Sequence, residues 1–129
     1  MVRTPIACLD THVVAWILNG QTEKLGKGAR SLIDTADLIL SPAVVLEMQY
    51  LHELGRVTTP AADALRTLQR LLPVRVAADS FERIVVTALT ESWTRDPFDR
   101  LIVAHARLLD APLVSRDRRI AQAYKKTRW

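Results

Sequence analysis

The sequence predicts an α/β fold in which a parallel sheet is covered by helices. Short apolar runs of β-forming residues recur along the chain, and each is followed by a longer stretch with helical periodicity and helix-start residues. That alternation is the signature of βαβ units, whose right-handed crossovers bring strand C-terminal ends and helix starts to one edge of the sheet. The bulk numbers agree: 129 residues, 49% hydrophobic and 25% charged, match one globular domain with one core, so residues 1–129 are read as one unit.

The elements follow in chain order. "IACL" (6–9), "LILS" (38–41), "VRV" (74–76) and "PLVS" (112–115) are buried-strand candidates. Pro42 opens a helix that runs to Leu54 and is closed by Gly55. Thr59 and Pro60 fit the cap and first turn of a helix to about Leu72, and Asp79 with Glu82 three residues later forms a capping box for the next. Asp96 and Pro97 then start "PFDRLIVAHARLL". Only 4 Gly and 6 Pro are present, with no repeat and no low-complexity tract, so the chain is expected to be ordered nearly end to end.

Several function classes are disfavoured at this level. The N-terminal "MVRTPIACLD" meets a charge too early for a secretory signal, and no run approaches the roughly 18 apolar residues that span a bilayer. A soluble, cytoplasmic protein without a membrane partner is expected. The single cysteine, Cys8, lies in an apolar run and reads as a small buried hydrophobe, in keeping with a reducing compartment. No nucleophile-elbow pattern or Cys–His pairing is present, and the position two residues after Asp10, where an aspartyl-phosphate enzyme would want a second acid, is His12.

Four acids stand out because of their surroundings. At about 100° per residue, Glu47 shares a helix face with Ala43, Val44, Tyr50, Leu51 and Leu54, while Gln49, His52 and Glu53 mark the opposite, wet side. Asp99 is flanked on its face by Ile102, Val103 and Ala106. Asp10 ends the first strand and Asp117 follows the last clear one. Asp10, Asp99 and Asp117, like Asp96, each have an ordinary reading as a helix cap or first-turn acid. In a parallel sheet, however, all four principal acids reach the same edge, where their mutual repulsion demands a cation. An all-oxygen acidic site suits Mg²⁺ or Mn²⁺, whereas zinc lacks support: Cys8 is alone and His12, His52 and His105 are scattered, with surface or supporting positions expected for them.

The protein is also basic, with net charge +4 and a sequence pI near 9.7. From Arg116 to Trp129 there are six basic residues against one acid, Asp117, which is either a solvated helix face or a surface for a polyanion. Arg100, Arg116, Arg118 and Arg119 lie near the helix starts that carry the acids and are the candidate rim for a nucleic-acid backbone.

Taken together, "LDTHVVAW", "SPAVVLEM", "RDPFDRLIVAHA" and "LVSRD" resemble the PIN-domain ribonucleases, in particular the VapC-like toxins of toxin–antitoxin pairs. The likeness runs from Ala7 to Asp117. It implies a three-layer sandwich with a central, mostly parallel sheet of four to five short strands, the last confined to Thr127–Trp129. It further implies Mg²⁺ or Mn²⁺ dependence, cleavage of single-stranded or loop RNA, a cognate antitoxin partner and a homodimer. By position it assigns the catalytic and metal-binding roles to Asp10, Glu47, Asp99 and Asp117, with Thr11, Asp96 and Ser115 in support. Two other readings stay open: a housekeeping RNA-processing nuclease of the same fold, and a catalytically silent RNA- or antitoxin-binding module. Trp16, Trp93 and Trp129 belong either to an interface or to the core.

Overall fold

The computed structural model describes residues 5–129. Strand β1 (Ile6–Leu9) is followed by helix α1 (Thr11–Leu18), a 3₁₀ turn (Thr22–Lys24) and α2 (Lys27–Thr35). Strand β2 (Asp37–Leu40) leads into α3 (Pro42–Glu53) and α4 (Ala61–Leu71), and β3 (Val74–Val76) into α5 (Phe81–Ala88) and α6 (Pro97–Leu109). Strand β4 (Leu113–Val114), α7 (Arg118–Ala123) and β5 (Thr127–Arg128) complete the order.

All five strands pair in parallel, in the spatial order β3-β2-β1-β4-β5. The chain walks outward from β1 to β3 and then crosses to the other side of β1, so the winding reverses between β1 and β4. In open α/β sheets the crevice beyond the strand ends at such a reversal is the usual place for a site. Helices cover the sheet thoroughly: Ala7, Leu38, Leu40, Leu113 and Val114 have no solvent exposure. Burial on both faces explains why the strands read as continuous apolar runs instead of alternating ones. Helix α4 shows the complementary pattern, with Ala61, Ala64 and Leu68 buried on one stripe and charged residues elsewhere.

Several local expectations are corrected by tertiary contacts. The second strand begins at Asp37 and stops at Leu40, because Ser41 is the N-cap of α3 and accepts from Ala43 N at 3.2 Å. The fourth strand shrinks to Leu113–Val114. The cap of α4 is Pro60, not Thr59; the orphan Ala61 N–H donates instead to Gln49 Oε1 of α3 at 3.1 Å. Gln49 therefore joins two helices and does not mark a wet side. The Asp79–Glu82 capping box does not form either: Ser80 caps α5, and Asp79 Oδ2 lies 2.9 Å from His105 Nε2. That pair places His105 in the interior, not at the surface. Around Glu47 the greasy face is only half covered: Ala43 and Val44 are buried, Leu51 is half-buried, and Tyr50 and Leu54 are exposed. Among the described residues no helix is long and apolar enough to cross a membrane.

The edge strand β5 is short but well seated. Gly28 N donates to Trp129 O at 3.2 Å, and a Cβ added at Gly28 would lie 2.8 Å from that same oxygen. At Gly26 it would lie 2.7 Å from the Trp129 carbonyl carbon. Both glycines are needed for the close approach of backbone to backbone, because neither neighbouring atom belongs to a flexible side chain. Gly28→Ala is expected to cost about 1–3 kcal/mol by overpacking, read as a lower Tm in thermal unfolding, whereas Gly20→Asn, in a left-handed turn with open space around it, should cost less.

Candidate active site

The site begins with Asp10, where β1 ends. Its backbone is extended, and one carboxylate oxygen accepts from Thr11 N at 2.8 Å, which starts α1. The other oxygen accepts from Ser115 Oγ at 2.7 Å, just beyond β4. Thr11, fully buried, donates its hydroxyl to Glu47 Oε1 on α3 at 2.5 Å. Ser115 Oγ in turn accepts from Asp117 N at 3.1 Å. Glu47, Thr11, Asp10, Ser115 and Asp117 thus form one hydrogen-bonded run across the reversal point of the sheet.

The two remaining acids approach from the start of α6. Asp96 is its N-cap, accepting from Phe98 N at 2.8 Å and Asp99 N at 3.3 Å. Asp99, one turn in, is half-buried and is not used as a cap. Asp117 is the N-cap of α7, accepting from Arg119 N at 2.8 Å. The ordinary capping role and a place at the groove therefore coincide in Asp10, Asp96 and Asp117, while Asp99 and Glu47 have no capping duty.

Electrostatics confirm that these groups share one space. The Asp99 carboxyl is raised to about 7, first by burial and then by the negative charges of Asp96, Asp10, Glu47 and Asp117. Burial also raises Glu47, partly offset by the Thr11 hydroxyl, and raises Asp10, offset by Ser115 and the Thr11 N–H. Among the described residues no three ligating side chains close on a single point. The acids instead lean on the neutral hydroxyls of Thr11 and Ser115, which satisfy oxygen atoms without cancelling charge. Carboxylates with hydroxyl support are the donor chemistry of a hard divalent cation, and the one imidazole close enough to act on Asp10 and Glu47 is that of His12. Cys8 stands apart in the core, its thiol pushed up to about 12 by burial.

The four rim arginines divide into two pairs. Arg100 Nε donates to Thr94 O at 2.8 Å and Arg119 to Trp93 O at 2.9 Å, so both are tethered to the loop between α5 and α6. Arg116 and Arg118 are exposed. The same loop holds residues that the sequence did not single out. Thr94 Oγ1 accepts from Asp96 N at 3.2 Å, and buried Glu91 accepts from Trp93 Nε1 at 2.6 Å and Arg107 Nε at 2.7 Å. This network braces the approach to Asp96 and Asp99; nothing local in "TESW" marks it, because Arg107, the cation that pairs with Glu91, lies 16 residues on.

A PIN domain family model matches residues 7–126. Among solved structures, a chain of VapBC2 from Rickettsia felis, determined with a DNA fragment from the promoter, superposes with TM-score 0.67 at 17% identity, covering 92% of both chains. A chain of VapBC-1 from nontypeable Haemophilus influenzae gives TM-score 0.60 at 17% identity over 96% of each chain. A domain of a functionally unknown protein from Methanocaldococcus jannaschii gives 0.56 at 21% identity, covering 92% of this chain and 82% of that one. A search of curated proteins finds no match.

The charge crowding has a measurable consequence in metal-free buffer. With Asp99 near 7 in the folded state and 3.8 ordinarily, the folded protein holds a proton that the unfolded chain has released, so stability falls as pH rises between those values. Asp99→Asn removes that loss, and its Tm should exceed the wild type at pH 8 by about 4 °C, with the gap closing at pH 5. A gap that is the same at both pH values would contradict the shift.

Proposed function

The chain belongs to the PIN-domain family, and from that membership we propose that it is a divalent-metal-dependent endoribonuclease, the VapC-like toxin of a toxin–antitoxin pair. The observation that carries the reading is the hydrogen-bonded run from Glu47 to Asp117 at the reversal point, with Asp99 facing it. A binding surface for RNA gains nothing from buried like charges, whereas a catalytic cation gains a binding site. The resemblance of the fold to chains of two VapBC assemblies supports the toxin assignment and an antitoxin partner.

In this reading Asp10, Glu47, Asp99 and Asp117 hold Mg²⁺ or Mn²⁺, and Asp96 adds negative potential beside them. The chemistry that such a cation supplies when bound is neutralisation of charge on a phosphate and acidification of water for in-line attack. The protein does the positioning. Ser115 and the Thr11 N–H fix both oxygens of Asp10, and the Thr11 hydroxyl holds Glu47. Asp99, raised to about 7 by burial and the neighbouring acids, would be held in its charged form at neutral pH by such a cation. The tethered Arg100 and Arg119 and the exposed Arg116 and Arg118 attract the RNA backbone to an otherwise acidic groove. The protein acts as a single catalytic unit of residues 1–129, pairs with a second copy, and works in the cytoplasm.

Purified protein freed of any partner should cleave single-stranded RNA with Mg²⁺ or Mn²⁺ and not with chelator. Asp10→Asn and Asp99→Asn should each lower the rate by about 100-fold or more, measured on gels of total RNA. Because Asp99→Asn is expected to be the more stable protein in metal-free buffer, its loss of cutting is separable from unfolding. Cutting that survives both substitutions, or needs no metal, would sink the assignment. Mg²⁺ should also raise the wild-type Tm and leave that of Asp99→Asn nearly unmoved.

A further inference from the structure

Beside the acids, on the side of β5, an open cleft of about 460 Å³ is lined by Ser115, Arg116, Asp117, Arg118 and Trp129, among others. Its volume falls in the range of nucleotide-sized sites, roughly 300–1,000 Å³. Ser115 and Asp117 are shared with the acid site. The same lining includes Trp129 and two exposed arginines, Arg116 and Arg118.

That indole is fixed in place. Trp129 meets Trp16 edge-on, with ring centroids 5.6 Å apart and planes at 62°, while its backbone packs on Gly26 and Gly28 and the Cδ1–Nε1 edge of its indole on Gly26. The aromatic row continues along α1, where His12 lies 6.3 Å from Trp16, one residue beyond Thr11. Cations accompany the row: Lys24 Nζ stands 5.7 Å over the Trp16 ring. Rings for bases and cations for phosphates, in a groove open to solvent, are the combination by which proteins bind single-stranded nucleic acid.

Resting on the endoribonuclease reading, we propose that this cleft holds a nucleotide flanking the cut, its base stacked on Trp129 and its phosphates held by Arg116 and Arg118. The site is sequence-tolerant, since every base presents a π-face, and it sets the direction in which the strand leaves the acids. Trp129 is here a substrate-positioning residue and takes no part in bond breaking.

The test uses equilibrium binding in Mg²⁺ on the Asp99→Asn background, read by fluorescence anisotropy with a labelled single-stranded RNA and an abasic strand of equal length. Trp129→Ala should weaken binding of the base-bearing strand by roughly 10-fold and leave the abasic strand unchanged, while Trp129→Phe should retain most of the affinity. Because Trp129→Ala also empties a packed seat, Arg118→Ala, at an exposed position, provides an independent arm: it should weaken both strands alike and flatten the salt dependence. Equal loss on both strands for Trp129→Ala, no loss on either, or no effect of Arg118→Ala would overturn the proposal and leave the surface to a protein partner. The nuclease reading is judged separately, by metal-dependent cutting with the wild type; cutting together with unaltered binding by Trp129→Ala removes the stacking site alone.

Discussion

The two hydrogen bonds to the buried carboxylate of Asp10 are the constraint on which the rest of the site depends. A carboxylate with 5% exposure would lose several kcal/mol of hydration if left bare, so its oxygens must find donors. They find them in Thr11 N and Ser115 Oγ, one from the helix that follows β1 and one from the turn that follows β4. Satisfying a single side chain thereby locks together the two strands between which the sheet reverses its winding. Glu47 and Asp117 are attached to that lock through the same two residues, and the start of α6 is set opposite it by the Thr94 and Glu91 network.

The choice of donors matters as much as their number. An arginine or lysine next to Asp10 would have stabilised the charge and also cancelled it, and a desolvated ion pair is a poor ligand for anything else. Hydroxyl and amide donors offset part of the cost of burial and leave the negative potential in place. The excess charge then appears where the structure is least able to hide it, at Asp99, whose carboxyl takes up a proton near neutrality. Stability and affinity for a cation are opposed in this arrangement, which is the usual relation between a functional site and its scaffold.

Much of this was legible in the sequence because a charge interrupting an apolar helical face is a local signal. Glu47 and Asp99 announce themselves by their neighbours, Asp10 and Asp117 by their place at strand ends, and a parallel topology brings all four to one edge. Helical periodicity says which residues share a face, but not whether that face is covered. Tyr50 and Leu54 accordingly share a face with Glu47 and remain exposed, with Tyr50 lying 5.7 Å from the ring of Phe98. Caps that compete with tertiary partners were equally hidden. Asp79 has good capping chemistry, yet His105, 26 residues away, claims it. The Ala61 N–H takes a glutamine from another helix in place of the local threonine. Propensity describes what a segment does alone, and these segments are not alone.

The seating of β5 bears on how far the groove feels the edge of the sheet. Ser115, which holds Asp10, has its own backbone N–H bonded to Arg128 O at 3.2 Å, and the neighbouring Trp129 rests on Gly26 and Gly28 near the other end of the chain. Contacts between residues so far apart in sequence form late, because loop closure must be completed before they contribute. Fraying of the short β5 edge is therefore felt at Ser115, and through its hydroxyl at the carboxylate of Asp10, so the order of the groove is tied to a two-residue strand on the sheet's rim.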